Sequence, residues 1–175
     1  MHHADRLAAT VVLLLTPMLS NVGCTRCEGP DDEQQVRALI ADAVAAAEAH
    51  DLGGLMGLTT GDFVVKPGSV GRQEVKGVLL MAFRRYGRFG VRHPAPVVSV
   101  AEDRLTASAD LPFLIVREGA EAPDLGDLMD DPEGWMERVA DMGDAYYLEL
   151  GLEKTGDGWR AARARIRGTH DRWSL

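Results

Sequence analysis

The side chains best equipped for chemistry gather near the C-terminal end of the chain. Tyr147, Glu149, Trp159, Arg163 and Arg165 supply a phenol, a carboxylate, an indole and two guanidinium groups within one short stretch. Lys66, Tyr86 and His93, further upstream, would complete a small set of polar groups around a ligand. A carboxylate or imidazole among them, Glu149 or His93, could move a proton. Each also has a plainer role. Glu149 opposite Arg163 or Arg165 makes a cross-strand ion pair, and Tyr86, Tyr147 and Trp159 fill a core or its rim. His50, His93 and His170 show neither H-x-x-x-H nor H-x-H spacing, so no metal site follows. The acidic residues lack the D-x-D-x-D-G order of a calcium loop. There is no G-x-x-x-x-G-K-[ST] and no G-x-S-x-G, so phosphate-loop and hydrolase-elbow chemistry have no support. No cofactor is implied.

The elements that must hold these residues follow from hydrophobic period. Leu148, Leu150 and Leu152 alternate with Tyr147, Glu149, Gly151 and Glu153, the mark of a half-buried strand. Gly156-Asp157-Gly158 reverses the chain. Trp159 then restarts an extended run in which Ala161, Arg163, Arg165 and Arg167 oppose Arg160, Ala162, Ala164 and Ile166. Upstream, Val36, Leu39, Ile40, Ala43, Val44 and Ala47 form one helical stripe, with Asp31 or Asp32 as its cap. Leu52 to Leu58 reads as a short helix, Phe63-Val64-Val65 as a strand stopped by Pro67-Gly68, and Gly71 to Tyr86 as a second long helix. Phe89 to His93, Val97 to Ala101, Leu105 to Leu111 and Phe113 to Val116 read as strands, with Pro112 expected at a bulge or edge. Pro132 to Met142 fits a helix with Pro at its first position.

The N-terminus reads as an address. His2, His3 and Arg6 precede an apolar run of 13 residues, Leu7 to Leu19. That run suits a signal peptide and is too short to span a bilayer. Ser20-Asn21-Val22-Gly23-Cys24 follows and resembles the bacterial lipoprotein box, with Asn21 where that box usually carries Leu. The expected organisation is a signal peptide at 1–23, a tether at 24–31, a domain at 32–168 and a tail at 169–175. Lipidation at Cys24 would make the chain an exported, membrane-anchored lipoprotein of the bacterial envelope, on the periplasmic side. Cys24 and Cys27 also form a C-x-x-C pair. No strand precedes it and Gly29-Pro30 follows it, so nothing there lowers a thiol pKa, and a local disulfide after ordinary signal cleavage is the alternative to lipidation.

Nineteen Lys and Arg against 27 Asp and Glu give a net charge of −8. Residues 118–144 carry ten acidic residues and one arginine, so this stretch holds the whole deficit. An acidic chain with 6% aromatics is a poor nucleic-acid binder, because phosphate neutralisation needs clustered cations and base stacking needs aromatic platforms.

Helices followed by a run of strands argue an α+β fold. The order resembles the nuclear transport factor 2-like superfamily, shared with ketosteroid isomerase and the SnoaL-like cyclases. Val44 to Leu52, Gly61 to Gly68, the helix from Arg72 and the hairpin ending Gly158-Trp159-Arg160 carry the likeness. It implies a cone-shaped, curved antiparallel sheet packed on N-terminal helices, with a pocket between them and dimerisation through the sheet. Isomerase-like members place a carboxylate base before the proline after the first strand, where this chain has Lys66. They offer a Tyr from the first helix at about Ala43. A lysine is no substitute for that carboxylate and alanine has no donor. The expected function is a non-catalytic domain binding a small apolar ligand or a partner protein. The alternative is a cyclase, dehydratase or isomerase using Glu149 or His93.

Overall fold

Asp31 accepts a hydrogen bond from the Gln34 amide at 2.7 Å and so caps the first helix, α1 (Asp32–Glu48). Asp51 caps the short α2 (Leu52–Gly57) in the same way. The chain continues as β1 (Thr59–Lys66), β2 (Val70–Gly71), α3 (Arg72–Tyr86), β3 (Phe89–Arg92), β4 (Val97–Val100), β5 (Thr106–Arg117), β6 (Asp144–Thr155) and β7 (Gly158–Gly168). These elements come from a computed structural model that describes residues 31–119 and 144–168. The expected signal peptide, Cys24, the expected tether before Asp31, the helix expected at Pro132–Met142 and the expected tail lie outside the described residues.

The fold is α+β, with the N-terminal helices packed on a sheet of seven strands. Six of them run in the order β2-β1-β7-β6-β5-β3, and β4 pairs with β5 beside β3. Every pair is antiparallel except β1 with β7, which run parallel. The sheet is therefore mostly antiparallel, as the sequence suggested, with this one parallel pair. β1 turns back through Pro67-Gly68 into the short β2 on one edge and pairs with β7 on its other edge.

Two differences from expectation have local causes. Pro112 sits at neither a bulge nor an outer edge. β5 pairs continuously with β6 through Pro112↔Tyr147, while β4 pairs with residues 107–110 and β3 with residues 114–117 on the other side. Pro112 occupies the gap between those two strands, where a missing N–H breaks no ladder bond. The second difference is in β7. Gly151 faces Arg163 but Leu152 faces Ala161, so Ala162 is the extra residue of a β-bulge. The bulge shifts the alternation by one. Trp159 and Ala161 before it, and Ala164 and Ile166 after it, all share the helix-facing side.

That side carries the core. Val36, Leu39 and Ile40 of α1 pack on Ala107, Ala109 and Leu111 of β5, Leu152 of β6 and Trp159 of β7. Phe63 packs on Ala161 and Ala164, with Val65, Val75, Leu148 and Leu150 around them. Burial of such side chains supplies most of the driving force. Polar contacts then fix where α1 lies. Arg37 donates to the Pro96 carbonyl at 2.5 Å, and the Val91 amide donates to Glu48 at 2.7 Å.

The third tie, at the start of the helix, is the most demanding. Asp32 is 4% exposed. Its Oδ2 accepts from Arg104 Nε at 2.7 Å, and its Oδ1 accepts from Lys154 Nζ at 2.5 Å and Trp159 Nε1 at 3.3 Å. One carboxylate thereby joins α1 to the β4–β5 turn and to both strands of the final hairpin. Arg104 reaches it from a backbone with φ of 56°, a region rarely used by residues other than glycine. α3 is held similarly, by Arg72 donating to Thr59 Oγ1 at 3.0 Å and to the Met56 carbonyl at 2.8 Å.

The Lys154 bond, then Arg104 and Trp159, hold the Asp32 carboxyl down at about 2, against an ordinary 3.8. The folded state thus binds this proton less readily than the unfolded chain. The stabilisation is complete above pH 3.8 and is lost as pH falls through about 2. In an acid titration followed by circular dichroism, Asp32→Asn is expected to flatten the stability loss between those limits. It is also expected to lower the thermal midpoint at neutral pH by several degrees. A variant with an unchanged acid limb would remove Asp32 from this role.

Candidate functional site

Cross-strand partners share a face of the sheet, so the registers sort the chemically capable residues into two groups. Lys66 pairs with Arg165, Arg165 with Glu149, Gly151 with Arg163, and Tyr147 with Arg167. All of these lie on the outer face, away from the helices. Tyr86 and Trp159 lie on the inner side. The eight residues therefore do not surround one ligand. The bulge at Ala162 is what turns Arg163 and Arg165 outward.

On the outer face, Glu149 is engaged by Arg165 at 3.8 Å and by Arg167 in a closer pair. Arg167 also covers the Tyr147 ring, 5.0 Å from its centroid. Arg163 lies over Gly151, where an added Cβ would come within 3.1 Å of its Nε. Lys66 Nζ donates to the Gly68 carbonyl and Ser69 Oγ. His93 Nδ1 faces the Pro94 carbonyl at 2.8 Å. On the inner face, the Trp159 indole is committed to Asp32.

The inner face holds a polar group of its own. Tyr86 ends α3 and reaches across to β6, where its hydroxyl meets Asp144 Oδ2 at 2.5 Å and Tyr146 Oη at 2.9 Å. Tyr86 and Tyr146 are 8% and 9% exposed. Burial first, then the bond to Asp144 and the contact with Tyr146, push the Tyr86 phenol above its ordinary value of 10.0. Burial raises Tyr146 as well. Beside them, the His50 ring stacks on Phe83 at 4.7 Å and lies 5.3 Å from Phe89, with its buried Nε2 unpartnered. Tyr146 stacks on Phe113 at 5.3 Å.

The direction of this chain of hydrogen bonds is fixed by its end. A carboxylate only accepts, so Tyr86 donates to Asp144. Tyr86 must then accept from Tyr146. The Tyr146 oxygen is left with lone pairs and no proton to offer. Next to it on the same face lie Leu148 and Leu150, half-buried, and Ile166, opposite Leu148 and 45% exposed. An apolar strip on the helix-facing side thus stays partly open and runs up to an acceptor. Among the described residues, no three His, Cys, Asp or Glu side chains converge on a metal-sized site, and no helix is long and apolar enough to cross a membrane.

Solved structures match this arrangement over most of its length. An NTF2-like protein with a cystatin-like fold from Novosphingobium aromaticivorans aligns with a TM-score of 0.57 at 18% identity, covering 80% of this chain and 83% of that one. The fold is nuclear transport factor 2-like. An NTF2-like protein of unknown function from Pseudomonas putida gives 0.58 at 15% identity, over 81% and 89%. A candidate scytalone dehydratase from Novosphingobium aromaticivorans gives 0.56 at 14%, over 79% and 84%. No family model matches the chain, and no curated protein does. At these identities the NTF2-like neighbours speak for the fold alone.

Sequence reasoning found Tyr86 and missed Asp144 and Tyr146. The signal was present: at the start of β6, Asp144 and Tyr146 stand two apart, which puts them on one face.

Tyr86→Phe removes the central hydroxyl and leaves Asp144 and Tyr146 without their link. A loss of about 1–3 kcal/mol is expected by denaturant unfolding. In wild type, two raised phenols mean that the unfolded chain gives up these protons first. Stability is therefore complete below pH 10 and declines above it. Tyr86→Phe should make that alkaline decline shallower; an unaltered one would contradict the assignment.

Proposed function

We propose that this chain is a binding domain whose inner sheet face takes a small apolar ligand bearing one hydroxyl or amine. The observation that carries the reading is the partly open strip of Leu148, Leu150 and Ile166 beside the acceptor-ended Tyr86–Tyr146 pair. Apolar surface with one placed polar group is the usual composition of a small-molecule site. A donor on the ligand would complete the bonding of Tyr146.

The same polarity speaks for binding over isomerase-type catalysis. Stabilising a developing oxyanion needs donors aimed at it, and Tyr146 offers an acceptor. Lys66 lies on the outer face, and Glu149 is held there by two arginines. Export and an acyl anchor at Cys24 belong to the same proposal. They are supported by the apolar run Leu7 to Leu19 and the Val22-Gly23-Cys24 junction that follows it.

Calorimetry with a cyclic aliphatic alcohol and its methyl ether tests the reading. The alcohol is expected to bind roughly three to ten times more tightly, the worth of one hydrogen bond. Tyr146→Phe should erase the difference. Equal binding of both compounds to wild type would contradict the proposal. Turnover of either would move the chain to the enzyme reading.

A further inference from the structure

We propose that the outer face of β7 and β1 is a docking surface for an anionic lipid bilayer, and that it lays the anchored domain flat against the membrane. Arg160, Arg163, Arg165 and Arg167 stand along β7 on the outer face, and Lys66 of β1 lies beside Arg165. Arg163, Arg165 and Arg167 are roughly 7 Å apart, two strand residues, and Arg160 precedes Arg163 across the bulge. The acidic groups on this face are Asp110, Glu149 and Glu153 on β5 and β6 and, by alternation with the inward Phe63, the exposed Asp62 on β1. Glu149 is shared by Arg165 and Arg167. Among the described residues, Arg160, Arg163 and Lys66 make no ion pair: Arg160 bonds the Trp159 carbonyl and Lys66 bonds Gly68 and Ser69. Arg163 is exposed and lies over Gly151, which leaves its guanidinium open to solvent. A strip of cations in a chain of net charge −8 is a local departure that favours an anionic partner.

The tether selects a bilayer as that partner. This step rests on the anchor proposed at Cys24. Residues 24–31 can span at most about 26–29 Å. They end at α1, whose Asp32 takes the Trp159 indole at 3.3 Å on the inner face, with the next residue, Arg160, on the outer face. From Arg160 to Arg167 the strand runs roughly 23 Å. The Arg160 end of the cationic strip therefore lies within reach of a membrane to which Cys24 is fixed, with the tether rooted across the sheet from it. Each basic side chain near an anionic surface adds roughly fivefold to the partition.

The test uses the full chain carrying Cys24→Ser, with vesicles of phosphatidylcholine alone or mixed with phosphatidylglycerol, read by sedimentation. Binding to the mixed vesicles only is expected, with release at about 1 M salt, where screening acts within roughly 3 Å. Arg163→Gln, which breaks no ion pair, should weaken binding about fivefold. The triple reversal of Arg163, Arg165 and Arg167 to Glu should weaken it more than about tenfold, while Arg84→Glu on α3 leaves it unchanged. Equal binding to both vesicles, or full binding by the Arg163 variant, overturns the proposal. Binding to polyglutamate but to neither vesicle overturns it in favour of an acidic protein. Mass spectrometry of the wild-type N-terminus scores the anchor separately: an unacylated Cys24 sinks the anchor, and the vesicle result still decides the face.

Discussion

The arrangement of helices on the sheet depends on one buried carboxylate. The apolar stripe of α1 turns largely to alanine after Ile40, so its second half buries little surface and could slide on the sheet at small cost. Asp32 removes that freedom. It brings Arg104, Lys154 and Trp159 together, from the β4–β5 turn and both strands of the last hairpin. A buried charge without partners would be strongly destabilising, so the helix start is stable only where all three donors meet. Arg37 and Glu48 repeat the device more weakly along the helix.

With α1 held in that position, the inner face divides into two parts. The part under α1 is closed by Val36, Leu39 and Ile40. The part near the end of α3 is bridged by the Tyr86 hydroxyl, with Leu148, Leu150 and Ile166 left partly open. The bulge at Ala162 decides which side chains join it. Without that extra residue, Arg163 and Arg165 would point into the helix-facing side and Ala164 and Ile166 out of it. One inserted alanine thus separates an apolar inner strip from a cationic outer row. These are the surfaces to which a ligand and a bilayer are assigned.

Much of the fold was legible in the sequence. The period of the α1 stripe, the Pro67-Gly68 stop and the leucine alternation in β6 placed those elements within a few residues. Such signals are local, and local signals survive in a single sequence. What was hidden is non-local. Asp31 and Asp32 are equivalent as caps on paper; the partners that give Asp32 its role lie 72, 122 and 127 residues away. The parallel β1–β7 pairing joins the first strand to the last, which no strand pattern encodes. Strict alternation through Ala161-Ala162 puts Trp159, Arg163 and Arg165 on one face, and the bulge separates them. For the site, Tyr86 was found as a polar residue at a helix end. Its partners were missed because Asp144 closes an acidic run and Tyr146 opens a strand, so neither stood out by composition.

Amide hydrogen exchange on Asp32→Asn tests the central claim most directly. If this carboxylate joins α1 to the final hairpin, the amides of α1 and those around Lys154 and Trp159 will speed up together, while the β5–β6 amides near Leu111 and Leu148 keep their protection. Unchanged exchange in α1, or faster exchange in α1 alone, would show that apolar packing holds the helix and that Asp32 does not.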